Sequence, residues 1–377
     1  MRTSYDVIVA GVGAMGSAAL WQLARRGQRV LGLERFDIPH AMGSSHGVNR
    51  IIRLAYFEHP SYVPLLRRAY QLWRETEQLF GEQLLYVTGG IDAGPADGRV
   101  VTGSLAACAA HDLDHELLDA RELARRFPAY RLAPGHVGNL QPDAGFVMSE
   151  RAIVAQASMA IAAGAEIRAR EPITSWSPTA GGGVRVTTPK GSYEAGRLVL
   201  STGAWISEHV PALAGLAIPE RQVLGWFQPK RPEHFRLGAF PVSIVQADEA
   251  TTYQFPVFGV PGFKIGIYNH LRQQGPAETL SREPDAADEE ALRAAVRRLF
   301  PDADGPTLAL RTCMFTNTPD EHFVVDTLPG LPQVVVASPC SGHGFKFASV
   351  MGEILADFAV AGSSRHDLAL FRLSRFT

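Results

Sequence analysis

The 377-residue sequence has little cysteine, almost no excess charge and no long apolar run. Its three cysteines, Cys108, Cys313 and Cys340, have no CxxC spacing, which excludes a disulfide framework or a zinc knuckle and favours a reducing cytoplasm. The formal net charge of −2 argues against a nucleic-acid or anionic-membrane partner. No apolar run approaches the roughly 20 residues that span a bilayer, and the first predicted strand begins within five residues of the start. We therefore expect no membrane segment, no signal peptide and no metal site.

The stretch from Tyr5 to Glu34 carries the strongest functional signal. A β-branched run at 6–10 predicts a buried strand, and Gly11-Val12-Gly13-Ala14-Met15-Gly16, a helical pattern and a second strand ending at Glu34 follow it. The first glycine permits a tight turn, the second lets backbone approach a pyrophosphate, and the third lets the helix pack on the strand. The helix N-terminus favours phosphate, and the Glu34 carboxylate can accept both ribose hydroxyls. The unit predicts an adenine dinucleotide, although GxGxxG alone can be an ordinary glycine-rich turn.

The remaining apolar patterns predict two domains. Residues 63–79 repeat apolar positions at helical spacing, and residues 149–164 predict a helix that begins at a serine cap. Residues 197–205 predict a strand that returns to the nucleotide-binding sheet, and 333–338 predict another buried strand, whereas 222–268 alternate as in an antiparallel sheet. We expect ligands at the carboxyl ends of the parallel strands. The expected boundaries are a discontinuous nucleotide-binding domain at 1–83, 148–215 and 322–377, and a mainly antiparallel domain at 84–147 and 216–321.

Four short segments carry functional groups beside predicted strands. Arg50 and Arg53 are three apart, which places them on one face of a helical turn; the alternative is a solvated basic surface. Lys264 lies in an apolar, glycine-flanked strand and is either functional or an edge residue that reaches solvent. Cys313 is either an attachment or catalytic site or a small core residue. The glycine-rich loop 341–346 brings backbone close to a flat or charged ligand, with phosphate binding as a competing interpretation.

In this order, the motifs resemble the family of monomeric sarcosine oxidase and N-methyltryptophan oxidase, flavoproteins that oxidise N-methyl amino acids. The resemblance covers nearly the whole chain, and the joint occurrence of its motifs is far more specific than any one of them. The matching stretches are 11–16 with Glu34, 43–53, 62–64, 221–227, 262–266, 313–326 and 341–347.

The resemblance implies an α/β fold in which an FAD-binding Rossmann-like domain of the glutathione-reductase type accompanies a mainly antiparallel substrate domain with helices. It also implies FAD joined covalently to Cys313 through a thioether on the 8α carbon of the isoalloxazine ring. Arg50 would lie against the flavin, with His46 nearby. The implied cofactor-binding residues are Gly11, Gly13, Ala14, Met15, Gly16, Glu34, Arg35, Ser44, Ser45, Arg50, Ile173, Thr202, Gly203, Trp205, Gly342, His343, Gly344, Phe345 and Lys346.

The same resemblance implies that Arg53 and Lys346 hold the substrate carboxylate. An arginine fork matches a carboxylate in a planar, bidentate way, and an ammonium adds a point charge. Tyr253 would line the substrate pocket. Lys264 would activate oxygen, since a buried ammonium stabilises superoxide as it forms. The implied catalytic residues are therefore Lys264, Arg50 and His46.

Three departures from the family pattern border the implied substrate site. Phe315 stands where sarcosine oxidases carry a tyrosine, Tyr268 where they carry a histidine, and Asn49 where they carry a threonine just before Arg50. Together with Arg53, Lys346 and Tyr253, the first two are the expected substrate-binding residues. The departures predict a larger or less polar pocket, and hence a bulkier N-methyl or a cyclic amino acid instead of sarcosine.

The expected activity is oxidation of a secondary amino acid to an imine, with O2 reduced to hydrogen peroxide, by a cytoplasmic monomer that needs only a small-molecule substrate and O2. A flavin-dependent dehydrogenase with a quinone or protein acceptor stays open, as does an oxidase of cyclic or D-amino acids. The fingerprint alone also permits an NAD-dependent dehydrogenase, and a non-catalytic flavin sensor is the alternative outside enzymes.

Overall fold

The structure, a computed structural model, describes residues 3–247 and 250–376. Those residues form the strands β1 (Ser4–Ala10), β2 (Val30–Leu33), β3 (Asn49–Ile52), β4 (Leu85–Val87), β5 (Gly90–Pro95), β6 (Glu116–Asp119), β7 (His136–Gln141), β8 (Gly145–Met148), β9 (Glu166–Arg168), β10 (Ser175–Pro178), β11 (Val184–Thr188), β12 (Gly191–Leu200), β13 (Ile218–Phe227), β14 (Val242–Gln246), β15 (Thr251–Phe255), β16 (Phe263–Ile267), β17 (Thr307–Asn317), β18 (Val324–Leu328) and β19 (Leu331–Ser338). Their α-helices are α1 (Ala14–Ala24), α2 (Val63–Phe80), α3 (Arg99–His111), α4 (Ala120–Arg126), α5 (Ser149–Ala162), α6 (Ile206–His209), α7 (Ala286–Leu299) and α8 (Ala348–Ala361).

The first sheet has a parallel centre in which β1 lies between β2 and β12. β9 extends it beside β2, β19 pairs in parallel with β12, and β10, β11 and β18 add antiparallel edges. The sequence-based prediction that the chain returns to this sheet through β12 is confirmed. Helix α1 packs on this sheet beside the helices α5 and α8. A Cβ on Gly352 would lie 2.6 Å from the carbonyl carbon of Ala18, so only glycine lets α8 approach α1 this closely.

The parallel strands β1, β2, β12 and β19 all end at the same edge of the first sheet. The segments that follow them begin at Gly11, Glu34, Ser201 and Pro339. Because parallel strands place their carboxyl ends together, residues far apart in sequence meet there. A cavity begins at this edge.

The second sheet has the order β17-β13-β16-β15-β14-β5-β7-β6. Its pairs are antiparallel as predicted, except that β14 runs parallel to β5. Its strands all come from segments 84–147 and 216–321, while those of the first sheet come from the other three predicted segments. The domain boundaries themselves stay a prediction.

A small third sheet, β3-β8-β4, corrects the expected geometry of the two arginines. Arg50 is part of β3, which pairs with β8, and Arg53 follows that strand by one residue. Side chains alternate along an extended chain, so positions three apart point to opposite faces and the predicted helical turn is wrong. The β-branched Ile51 and Ile52 favour this extended conformation.

The helix predicted at 149–164 forms, but its expected serine cap does not. Met148 occupies the cap position, without a side-chain hydrogen bond to the helix. The Ser149 hydroxyl donates instead to Glu150, whose carboxylate accepts from the backbone amides of Gly47 and Val48. The helix start therefore fixes the loop before β3. No helix in the described ranges has the length and apolar character needed to cross a bilayer.

Candidate active site

A deep cavity with about 1590 Å³ of empty space, part of it open to solvent, runs from the carboxyl edge of the first sheet to the second sheet. We call the part around Gly11 and Glu34 the nucleotide end, and the part around Arg53, Tyr253 and Lys346 the substrate end. The expected cofactor-binding residues on its wall are Gly11, Gly13, Ala14, Met15, Glu34, Arg35, Ser44, Ser45, Arg50, Ile173, Thr202, Gly203, Trp205, Gly342, His343, Gly344, Phe345 and Lys346.

The nucleotide end is shaped by the three glycines of the fingerprint. Gly11 has a φ of +88°, and a Cβ there would lie 2.5 Å from the carbonyl oxygen of Ser201. A Cβ on Gly13 would meet no atom within 4 Å, which leaves the backbone open to a ligand. Gly16 is not on the cavity wall, because it packs α1 against Gly11, whose carbonyl oxygen would lie 1.7 Å from its Cβ. Gly11 and Gly16 thus allow a tight turn and close packing, and the open backbone at Gly13 is compatible with the predicted approach of a pyrophosphate.

Glu34 is buried at the tip of β2 and lines the cavity. Its carboxylate accepts from the backbone amide of Val12 at 2.7 Å and from that of Phe36 at 2.9 Å. Each carboxylate oxygen has a second acceptor position, so binding of ribose hydroxyls stays compatible with these bonds. The two amides fix the carboxylate between the loops after β1 and β2.

Two buried hydroxyls on the cavity wall lack a hydrogen-bond partner among the described residues. They are Ser44 Oγ, in the loop before β3, and Thr202 Oγ1, just after β12. Buried polar atoms are nearly always hydrogen-bonded in a complete structure. These two hydroxyls, the open backbone at Gly13 and the length of the cavity fit a bound dinucleotide such as FAD.

Arg50 connects the cavity wall to the predicted attachment cysteine. Its Nη2 donates to the Ser44 carbonyl at 2.9 Å and lies 3.6 Å from Cys313 Sγ, and its Nη1 donates to the Asn49 carbonyl at 2.9 Å. Cys313 is 3% exposed and is not on the cavity wall, although the attachment implied by the resemblance needs its sulfur to reach the flavin. It lies in β17, where it pairs with Gln222 of β13, and the next two residues of that strand, Met314 and Phe315, line the cavity.

His46 is buried near Arg50 but is not on the cavity wall. Its Nε2 has no hydrogen-bond partner among the described residues. Burial and the Arg50 charge lower the pKa of His46 to about 4. The ring is therefore neutral at ordinary pH, and it does not add a positive charge beside Arg50.

Lys264 lies in the middle of the second sheet, between β13 and β15, and is 2% exposed, so the edge-residue interpretation is wrong. Its Nζ donates to the Gly47 carbonyl at 2.8 Å, to the Asn49 carbonyl at 2.7 Å and to Asn49 Oδ1 at 2.8 Å. It also lies 4.0 Å from the centroid of the Phe255 ring. Burial and Arg50 lower the pKa of Lys264, whereas its three oxygen acceptors favour the charged form. The ammonium lies behind the cavity wall.

Arg53 and Lys346 both line the substrate end and are buried. Arg53 Nη2 donates to both carboxylate oxygens of Glu58, at 3.0 and 2.8 Å. Lys346 Nζ donates to the His343 carbonyl at 2.7 Å and to the Tyr56 hydroxyl at 3.4 Å. The structure therefore brings the two predicted cations into one cluster.

The electrostatics of this cluster depend on acids that sequence reasoning missed. Burial raises the pKa of Glu58, but Arg53 and other nearby cations outweigh this and lower it, so Glu58 is ionised. Burial and Arg53 lower the pKa of Lys346 to about 7. Asp92 of β5 is also buried here, and burial raises its pKa to about 7. An acid inside the apolar strand Gly90–Pro95 was an available sequence signal, whereas Glu58 gave none.

An aromatic wall closes the substrate end. The rings of Tyr253 and Tyr268 have centroids 5.2 Å apart at an angle of 74°, and those of Tyr268 and Phe315 lie 6.0 Å apart. Neither tyrosine hydroxyl has a hydrogen-bond partner within the described ranges, and burial raises the pKa of both. The pocket thus combines flat apolar faces with two hydroxyls available to a ligand.

Comparisons with known proteins show the family to which the chain belongs. The model of the FAD dependent oxidoreductase family matches residues 6–358. Monomeric sarcosine oxidase of Streptomyces avermitilis is 42% identical over 98% of this chain and 97% of its own, and N-methyl-L-tryptophan oxidase of Salmonella agona is 36% identical over 99% of both. The structure of NikD, an unusual amino acid oxidase essential for nikkomycin biosynthesis, superposes with a TM-score of 0.85 at 27% identity, covering 99% of this chain and 98% of that one. The predicted resemblance is confirmed, and the chain belongs to the FAD-dependent oxidoreductase family.

Proposed function

We propose that the protein oxidises secondary amino acids, of the N-methyl or cyclic kind, to imines and reduces O2 to hydrogen peroxide. The observation that carries this proposal is the pair of buried cations, Arg53 and Lys346, on the wall of a cavity that begins at a dinucleotide fingerprint. Bound FAD supplies the acceptor for the two electrons that leave the substrate. The names of the sarcosine and N-methyltryptophan oxidases support the substrate class.

In this proposal the cations at the substrate end bind and orient the substrate. The guanidinium of Arg53, held by Glu58, and the ammonium of Lys346 attract the carboxylate. Lys346 has a third proton that its two protein acceptors leave for a ligand. Tyr253, Tyr268 and Phe315 pack against the rest of the molecule and exclude water. Such fixed positioning supplies several kcal/mol, about 7–11 at most, of barrier lowering.

The aromatic wall favours a bulkier substrate than sarcosine. Tyr268 and Phe315 offer ring faces and one hydroxyl where the family pattern has a histidine and a tyrosine. A panel of sarcosine, N-methyltryptophan, cyclic and D-amino acids, assayed with peroxide detection, tests the function. We expect peroxide from N-methyl or cyclic substrates with larger side chains at a higher kcat/KM than from sarcosine. Peroxide release with none of them contradicts the proposal.

Covalent attachment of FAD at Cys313 belongs to the same proposal. Its support is that Cys313 Sγ lies 3.6 Å from Arg50, which is on the cavity wall. We expect acid precipitation to carry flavin with the wild-type polypeptide and to release it from Cys313→Ser. Cys340→Ser is the matched control, because Cys340 lines the cavity. We expect this variant to keep the flavin on the polypeptide. Flavin that stays with the Cys313→Ser pellet places the attachment elsewhere.

Lys264 is the residue that we propose to favour oxygen as the acceptor. Its buried charge stabilises the negative charge that develops on oxygen. We expect Lys264→Met to slow aerobic reoxidation by orders of magnitude and to spare anaerobic reduction by substrate. A dehydrogenase with another acceptor is the second candidate, because Lys264 lies behind the cavity wall with three protein acceptors. Slow reoxidation of the wild-type protein in air would favour it.

A further inference from the structure

The substrate end contains a carboxyl group, Asp92, that the proposed mechanism does not use. Asp92 lies in β5, is 2% exposed and accepts at Oδ2 from Gln141 Nε2 at 2.8 Å. Gln141 is itself oriented by the backbone amide of Ala55, which donates to its Oε1 at 3.1 Å. A buried acid held in this way costs stability unless it has a purpose or a partner.

The partner that Asp92 faces is Arg53. Asp92 Oδ1 lies 3.9 Å from Arg53 Nε, beyond hydrogen-bond distance but close enough for a strong electrostatic interaction. Arg53 Nε has no hydrogen-bond partner among the described residues, whereas its Nη atoms contact Ala55 and Glu58. Asp92 thus acts on the guanidinium mainly through its charge, and only when it is ionised.

The charges at this end balance when Asp92 is ionised and Lys346 is protonated. The cations are Arg53 and Lys346, and the anions are Glu58 and Asp92, all buried. The other titratable groups whose charges interact with this set are neutral at ordinary pH. Burial lowers the pKa of His343 to about 4, and it raises the pKa of the Cys108 thiol and of the phenols of Tyr56, Tyr62, Tyr70 and Tyr268. A site with balanced charge attracts a carboxylate poorly, and one proton on Asp92 leaves it with a net positive charge.

We propose that Asp92 sets the affinity of the carboxylate site, so that binding of a substrate carboxylate is accompanied by uptake of one proton at Asp92. This inference rests on the proposed function, because it takes Arg53 and Lys346 as the carboxylate site. Asp92 is a positioning residue for charge: it touches Arg53 and not the substrate. The anion that enters replaces the negative charge that Asp92 loses.

The sign of the pH dependence follows from this linkage. Burial and Glu58 raise the pKa of Asp92 to about 7, against the opposing effect of Arg53. Below about pH 7 Asp92 is already protonated, so carboxylate binding takes up no proton there. Above it, the proton that Asp92 takes up weakens binding by about tenfold per pH unit, until the higher pKa of the complex is reached. Loss of the Lys346 proton above about pH 7 adds a second, separate weakening.

Benzoate is a suitable probe, because it carries a carboxylate, fits an aromatic wall and has no amine to titrate. Its dissociation constant is measured on the holoenzyme from the change in the flavin absorption spectrum between about pH 6 and pH 9. Asp92→Asn keeps the shape of the neutral acid. We expect Asp92→Asn to bind benzoate more tightly than the wild type at high pH. The increase of its dissociation constant per pH unit should be about tenfold smaller than that of the wild type. Asp97→Asn, at an exposed turn after β5, is the matched control and should follow the wild type.

A second measurement keeps the proposal testable if Asp92→Asn does not fold. Lys346→Arg carries a permanent charge, so a proton taken up on benzoate binding at about pH 8, recorded with a pH indicator in weak buffer, is assigned to Asp92. We expect close to one proton per benzoate at about pH 8 and close to none at about pH 6. If no proton is taken up at either pH value, or if the benzoate affinity of the wild type and of Asp92→Asn changes equally with pH, the role of Asp92 is overturned. The carboxylate site itself is not contradicted by that result. If benzoate binds at no pH, the result contradicts the carboxylate site and therefore the proposed function as well.

Discussion

The nucleotide end and the substrate end of the cavity are built from different materials. At the nucleotide end, backbone forms the site: Gly11 and Gly13 supply the turn and the open approach, and backbone amides hold Glu34. At the substrate end, charged side chains from distant segments form it, among them Arg53 and Lys346. A site made of backbone depends on local sequence, whereas a site made of charges depends on long-range balance.

The difference decides how each end responds to mutation. One methyl group at the nucleotide end blocks a ligand without disturbing a charge. One charge removed at the substrate end leaves its partner buried and unpaired, which affects folding and binding together. Variants at the two ends test this contrast.

The largest effect is expected at Arg53. Arg53→Met leaves Glu58 as an uncompensated buried charge and should lower the free energy of unfolding by about 3–5 kcal/mol. The double variant Arg53→Met/Glu58→Gln should regain most of that stability in denaturant titrations. Its kcat/KM for an N-methyl amino acid should nevertheless stay about 10²–10³-fold below the wild type, because the carboxylate has lost its bidentate partner. Restored kcat/KM in the double variant contradicts a carboxylate role for Arg53.

The next effect is at Gly13, where stability and ligand binding should separate. A Cβ there meets no protein atom within 4 Å, so Gly13→Ala should change the free energy of unfolding by about 0.5 kcal/mol or less. The methyl group would occupy the space through which a pyrophosphate approaches, and we expect at least about a tenfold loss of flavin per polypeptide. Gly181→Ala, at a hairpin turn with equally open surroundings, serves as the control for the substitution itself. Full flavin content in Gly13→Ala contradicts the close approach.

These contrasts also explain what the sequence could predict. The strand, turn and helix around Gly11–Gly16 and the return of β12 to the first sheet follow from local patterns, and both are present. The placement of Arg50 and Arg53 does not, because β3 is defined by its pairing with β8 and not by residue spacing. Glu58 joins the site through a tertiary contact that no local pattern encodes, and for Asp92 the apolar strand indicates a buried acid but not its partner Arg53.

The pH dependence of kcat and of kcat/KM should distinguish the ionisation of the substrate amine from the ionisation of the carboxylate site. Hydride release needs a neutral amine, so kcat should rise with pH through the ionisation of the bound amine. The carboxylate site acts in the opposite direction: burial and Arg53 lower the pKa of Lys346 to about 7, and above that value the ammonium loses its charge. We therefore expect a bell-shaped kcat/KM whose descending limb is absent from kcat. A kcat/KM that is flat between pH 6 and 9, or that still rises at pH 9, contradicts this assignment.

The smallest effect is expected at Asn49, which provides one of the three acceptors of Lys264. Asn49→Ala leaves two backbone carbonyls in place, so the ammonium stays anchored but its charged form loses one stabilising bond. We expect aerobic flavin reoxidation to slow by about threefold to tenfold. This is less than the roughly tenfold to hundredfold that corresponds to the about 1.5–3 kcal/mol of a full hydrogen bond to a charged group, because two acceptors stay in place. Anaerobic reduction in the stopped-flow should be unchanged. An equal loss in both half-reactions would assign Asn49 to the substrate and not to the lysine.

The carboxylate of Glu34 joins the loops after β1 and β2 through two backbone amides, and both hydrogen bonds are made by protein atoms alone. The nucleotide end therefore has little conformational freedom to lose when a dinucleotide enters. Ordering of loops is one of the main entropic costs of association, and a site that is already ordered avoids it. Cofactor binding should accordingly show little change in hydrogen-exchange protection in these two loops, and its affinity should come from contacts and not from folding.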